Sequence, residues 1–81
     1  MRPKLRLYHR SGCSLCEAMH RELLDCELNG AFDLELIDID SSNNLVERYG
    51  HKVPVLSDSA DQEICHYFLD LQALQAYFAT H

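Results

Sequence analysis

The residues of this chain best placed to do chemistry are two thiols three positions apart, in Cys13-Ser14-Leu15-Cys16. They follow the period-two run Leu5-Arg6-Leu7-Tyr8 and open a segment with helical spacing, which puts them at a strand-to-helix junction. Two cysteines within one turn can form a disulfide with each other or share a metal ion. Cys13 falls at the N-terminal edge of the helix, where unpaired backbone N–H groups and the positive end of the dipole favour an anion. It should therefore ionise more readily than a free cysteine, with His9 and Arg10 available to add positive charge. Cys16, one turn deeper, should be more buried and keep its proton longer. That asymmetry assigns roles in disulfide exchange: Cys13 attacks, and Cys16 resolves the mixed disulfide.

Metal chemistry needs more ligands than this pair provides. A structural zinc site takes four, and no second Cys-x-x-Cys or histidine pair stands at a matching spacing. No metal site is assigned, although two copies of the chain could together supply four thiolates to zinc or an iron–sulfur cluster. A further alternative is a binding module that keeps the fold without turning over disulfides.

The elements around the pair can be read from periodicity. Residues 4–9 alternate, with Leu5 and Leu7 on one face of a strand and Arg6 and Tyr8 on the other. Residues 14–28 carry Leu15, Met19, Leu23 and Cys26 as a helical stripe that should face the sheet, with Asn29-Gly30 ending the helix through a left-handed glycine. Residues 33–38 resume period two and make a second strand. Strand, helix and strand in so short a span form a right-handed βαβ unit with two parallel neighbouring strands. Asp40-Ser41-Ser42 offers capping oxygens to a short helix carrying Leu45, Val46 and Tyr49, closed by Gly50. Val53-Pro54-Val55-Leu56 is apolar, but proline donates no amide hydrogen, so Pro54 should stand at the head of a strand. The polar run from Ser57 to Asp61 turns a hairpin into a last strand around Ile64 and Cys65. Asp70 then caps a final helix with Leu71, Leu74, Tyr77 and Phe78 on its apolar face.

Length and charge narrow the setting. Eighty-one residues make one domain, 1–81, since so short a chain cannot build two cores. Thirteen acidic residues against seven basic ones give a net charge of −6, which argues against nucleic acid or anionic membrane as partners. No signal peptide is visible at the N-terminus, and no stretch approaches the ~20 apolar residues of a membrane span. A cytoplasmic monomer is the expectation, and in the cytosol a Cys-x-x-Cys pair signals transient redox work or metal more than a permanent staple. Cys26 and Cys65 read as core filler. His20 reads as solvated, and His51, His66 and His81 have no partner spacing that suggests a site.

Taken together, the order of elements resembles the thioredoxin fold in its compact glutaredoxin form. The segments Tyr8-His9-Arg10-Ser11-Gly12-Cys13-Ser14-Leu15-Cys16 and His51-Lys52-Val53-Pro54-Val55-Leu56 are especially similar to a glutaredoxin-like group of small bacterial proteins. The resemblance implies an α/β fold with a four-stranded mixed sheet in order 2-1-3-4. Three helices flank it, the first and last on one face and the middle one on the other. It also implies a thiol–disulfide oxidoreductase in which Cys13 and Cys16 carry the electrons without a metal or organic cofactor. Pro54 would be cis and face the thiols, the Val53 backbone would hydrogen-bond an incoming cysteine-containing substrate, and Arg10 and Gly12 would complete the substrate-binding set. The substrate would be a protein or small-molecule disulfide. The sequence departs from the family at Ser14-Leu15, where glutaredoxins usually carry Pro-Tyr, and at Cys65–Asp70, which lacks their Gly-Gly turn. The reductant is thus open between glutathione and a flavoprotein reductase of the thioredoxin type.

Overall fold

The sheet is built around β1 (Lys4–His9), which pairs in parallel with β2 (Asp33–Asp38) and antiparallel with β3 (Val55–Asp58). A fourth strand, β4 (Glu63–His66), pairs antiparallel with β3, so the order is β2-β1-β3-β4. Three helices flank it: α1 (Ser14–Asp25), α2 (Asn43–Tyr49) and α3 (Leu71–Thr80). The computed structural model describes residues 2–80; His81 lies outside them. This is the compact glutaredoxin-like form of the thioredoxin fold.

Side-chain alternation along β1 divides the interior in two. Leu5 and Leu7 point to one face, where they pack with Met19 and Leu23 of α1, Leu56, Cys65 and Leu74 of α3. Tyr8 points to the other, where it meets Ile39, Tyr49 and Val55 with Leu45, Val46 and Val53 around them. The first and last helices therefore share one face, and α2 covers the opposite one.

The first helix is shorter than its periodicity suggests. It stops at Asp25, Cys26 is extended, and the chain rewinds as a 3₁₀ turn over Glu27–Ala31. Leu28 shows why: five positions after Leu23, it would stand well off the buried stripe in a continuous helix, whereas after the break it packs on the core. Cys26 is only half-buried and donates its thiol hydrogen to the Leu23 carbonyl at 3.3 Å, so it is a cap and not core filler. Gly30 has no left-handed φ and does not end the helix. At the other stripe position, Leu15 faces solvent.

Two further local expectations change their cause. Gly50 does close α2, but with ordinary helical φ; a Cβ there would come within 2.5 Å of the Val46 carbonyl oxygen, so the position demands glycine for space. The Asp40–Ser42 oxygens do not cap α2. Asp38 instead accepts from the Asp40 amide at 2.9 Å and organises a 3₁₀ turn over Ile39–Ser41. Asp70 caps α3 as expected, accepting from the Ala73 amide at 3.0 Å.

Candidate active site

Parallel pairing with β2 and antiparallel pairing with β3 hold β1 on both sides up to its C-terminal end. From that fixed end, His9 to Gly12 carry the chain into α1. Gly12 lies at φ +74°, a conformation that side chains with a Cβ rarely adopt, and it turns Cys13 onto the helix. Cys13 is the N-cap residue of α1: its backbone is extended, its Sγ accepts from the Cys16 amide at 3.1 Å, and its carbonyl accepts from the Glu17 amide. Sulfur thus takes the place that a serine or aspartate oxygen fills in an ordinary cap, among the unpaired N–H groups of the first turn.

Cys13 and Cys16 are joined by a disulfide, with their Cα atoms 5.2 Å apart. They differ in exposure. Cys13 is partly open to solvent, while Cys16 is 3% exposed against the sheet. The geometric basis for an outer, attacking thiol and an inner, resolving one is therefore present.

The register Tyr8↔Val55 brings the head of β3 to the end of β1 from which the cysteine turn springs. There the Val53–Pro54 peptide is cis, and Pro54 is fully buried. The Val53 amide donates to the Tyr49 carbonyl at 3.0 Å, which leaves the Val53 carbonyl for any strand-like contact with a substrate. Arg10 lines the pocket beside Cys16, and its guanidinium pairs with Asp40 at 2.7 Å, tying the cysteine turn to the turn after β2.

Three features of the structure escaped the sequence. The first is the β4–α3 connection, where the Tyr67 amide donates to the Pro54 carbonyl at 2.9 Å and its hydroxyl donates to the His51 carbonyl at 2.6 Å. Tyr67 sits at φ +64° at the centre of a γ-turn closed by the Phe68 amide and the His66 carbonyl. That left-handed centre is uncommon for a residue with a Cβ. The turn leaves Phe68 68% exposed beside the cis-proline. The signal was available in part, since the segment Cys65–Asp70 lacks the family's Gly-Gly turn.

The second is a pocket of about 160 Å³ on the opposite flank of the disulfide, with Leu7, Gly12, Cys16, His20 and Leu36 among its walls. Leu36 of β2 lines this pocket and is 46% exposed.

The third is a charged network centred on Asp61, which accepts from the Tyr8 hydroxyl at 2.7 Å and from Arg6 at 3.1 Å, with Arg48 at 3.8 Å. The Tyr8 hydroxyl bond and the Arg6 contact hold the Asp61 carboxyl below its usual range. Burial, seconded by the Asp61 bond, pushes the Tyr8 phenol up to about 12. Among the described residues, no three His, Cys, Asp or Glu side chains gather to hold a metal ion, and no helix is long and apolar enough to cross a membrane.

Comparison with known proteins agrees with this geometry. A protein from Nitrosomonas europaea solved by NMR superposes with a TM-score of 0.82 at 42% identity, covering 95% of this chain and 92% of its own. A structural-genomics target from X. campestris gives 0.71 at 34% identity, covering 95% and 97%. A malarial protein at 15% identity, TM-score 0.65, shares the fold over 100% of this chain and 98% of its own. None of the curated proteins matches. The family model described as Glutaredoxin-like domain matches residues 4–79, and the chain belongs to that family.

Proposed function

We propose that the chain is a dithiol–disulfide oxidoreductase. The observation that carries this reading is the Cys13–Cys16 disulfide at the N-terminus of α1, with the partly exposed cysteine in the cap position and the buried one behind it. In the reduced protein the first-turn amides stabilise the Cys13 thiolate. That thiolate attacks one sulfur of a substrate disulfide, R–S–S–R, and expels one thiolate, which takes up a proton. Cys16, once deprotonated, attacks Cys13 Sγ in the mixed disulfide and expels the second thiolate. Two electrons pass from the cysteines to the substrate, which leaves as two thiols, and the protein is left as the disulfide.

The cis-Pro54 peptide and the Val53 carbonyl line the approach to Cys13, and the substrate is a protein or small-molecule disulfide. Arg10 and Gly12, in the turn that leads into Cys13, complete the substrate-binding set. The protein returns to the dithiol state at the expense of glutathione or a flavoprotein reductase, needs no metal or organic cofactor, and works as a monomer in the reducing cytoplasm.

Cysteine substitution tests the division of labour. Cys16→Ser should accumulate mixed disulfides with a model substrate, Cys13→Ser should form none, and both should abolish turnover. Thiolate absorbance of Cys16→Ser followed against pH should place Cys13 below the roughly 8.5 of free cysteine. Equal trapping by both variants, or an ordinary Cys13 titration, would overturn the assignment.

A further inference from the structure

We propose that His20 is the general base that deprotonates Cys16 during resolution; this rests on the dithiol reading above. In the mixed disulfide Cys16 must become a thiolate before it can attack Cys13 Sγ. Its side chain is almost wholly buried, with Met19 and Leu23 of the same helix continuing the apolar face toward the core. Burial in such surroundings disfavours the charged form of a thiol, so the resolving step is the one that needs help with a proton.

Cys16 reaches open space in the pocket between α1, the end of β1 and β2. The titratable and charged groups in its walls are His9 and Arg10 from the end of β1 and the following turn, and Glu17 and His20 from α1; β2 contributes only Leu36. Arg10 stays protonated and is held by Asp40, so it accepts nothing. Glu17 follows Cys16 directly and is turned about a quarter of the way round the helix onto its exposed side.

His20 stands four positions after Cys16. On an α-helix that separation stacks two side chains on one face with their Cβ atoms about 5–6 Å apart. Side chains also lean toward the helix N-terminus, which carries the His20 imidazole over the turn of Cys16. His20 is half-buried and shares the pocket with the apolar side chains of Leu7 and Leu36. Imidazole is the side chain suited to exchanging protons near neutral pH. A neutral His20 takes the proton from Cys16 Sγ, the new thiolate attacks Cys13 Sγ, and the substrate sulfur departs with the electron pair of the broken bond. The imidazolium then gives its proton to the leaving thiolate or to solvent. When the Cys13–Cys16 disulfide is later reduced, the imidazolium returns a proton to Cys16.

Reaction of the reduced chain carrying Cys26→Ser and Cys65→Ser, so that only the pair can react, with excess dithiobis(nitrobenzoate) separates the two steps. Attack by Cys13 releases a first thionitrobenzoate, and resolution by Cys16 releases a second. Cys16→Ser identifies the first phase, since it lacks the second. Thionitrobenzoate leaves readily as the anion, so the second phase reports deprotonation of Cys16 and not protonation of the leaving group. His20→Gln should slow the second phase on the order of 10- to 100-fold near neutral pH, the lower part of what a general base contributes. The first phase should be unchanged, which also shows that the variant is folded. Added imidazole should restore part of the rate of the second phase in His20→Ala.

An unchanged second phase in His20→Gln would overturn the proposal. So would His9→Gln or Glu17→Gln slowing that phase as much as His20→Gln. Release of only one equivalent by the chain with Cys13, Cys16 and His20 intact would overturn the dithiol reading itself, an outcome distinct from a second phase that is present and indifferent to His20.

Discussion

The two faces of the sheet meet the same two strands and are built on opposite principles. Under α1 and α3 the contacts are apolar and mainly aliphatic: Leu5, Leu7, Met19, Leu23, Leu56 and Leu74 are all essentially without solvent contact, and Phe32 stacks on Phe78 beside them. Under α2 the packing is aromatic and charged. The Tyr8 and Tyr49 rings stack with centroids 4.2 Å apart, the Arg48 guanidinium lies 5.2 Å over the Tyr49 ring, and Asp61 gathers Tyr8, Arg6 and Arg48. Each face carries one half of the candidate site. The aliphatic face seats the helix that bears the cysteines. The polar face seats the segment from Tyr49 to Val53 that delivers the cis-proline. The difference teaches that the paired cysteines are held by forces nearly indifferent to pH and salt, while the segment that carries the cis peptide depends in part on charges that respond to both.

Truncation on the aliphatic face should give the largest effect. Leu23→Ala removes a fully buried side chain between α1 and the sheet and should destabilise the protein by about 3 kcal/mol in urea unfolding. The loss should be the same at low and high salt. A salt-dependent loss would break the contrast at its stronger side.

Neutralising the hub of the polar face should cost less and behave differently. Asp61 stands at φ +63°, which asparagine tolerates, so Asp61→Asn changes the charge without straining the backbone. Because this carboxyl is partly exposed, the expected cost is about 1 kcal/mol, shrinking as salt is added. The lowered native pKa of Asp61 fixes the sign with pH. The unfolded chain binds the proton more tightly, so the stabilisation is fully present above the unfolded value near 3.8 and is lost as pH falls through the native one. Asp61→Asn should lack this part of the acid sensitivity. The rate of Cys13 with a thiol reagent should not change, since Cys13 belongs to the other half.

The smallest effect sharpens the comparison within the polar face. Tyr8→Phe keeps the stack on Tyr49 and deletes the hydroxyl with its bond to Asp61 and its contact with Arg6, for a loss below about 1 kcal/mol near neutral pH. With the Tyr8 phenol raised to about 12 in the folded state, the native protein holds its proton where the unfolded chain has lost it. Wild-type stability should therefore decline from pH 10 upward until the native phenol ionises. Urea midpoints across that range should show Tyr8→Phe with a shallower decline.

Much of this was legible in the chain itself. Alternation in residues 4–9 determined which side chains of β1 face which helix, because successive residues of a strand point to opposite sides. The spacing of Cys13 and Cys16 at the start of α1 determined the pairing and its asymmetry, since the first turn is both a cap and an anion site. Asp70 was readable as a cap for the same local reason.

What only the tertiary structure decided involves residues far apart in sequence. Helical period alone extended α1 over residues 14–28, but the need of Leu28 for the core ended it at Asp25. No spacing links Arg10 to Asp40 or Tyr8 to Asp61, which meet because strands bring distant turns together. His20 looked solvated until the pocket beside Cys16 gave it a neighbour and a task. Local pattern reports what a segment does with its own backbone; the partners of a polar side chain depend on how the chain closes on itself, and a linear sequence does not contain those distances.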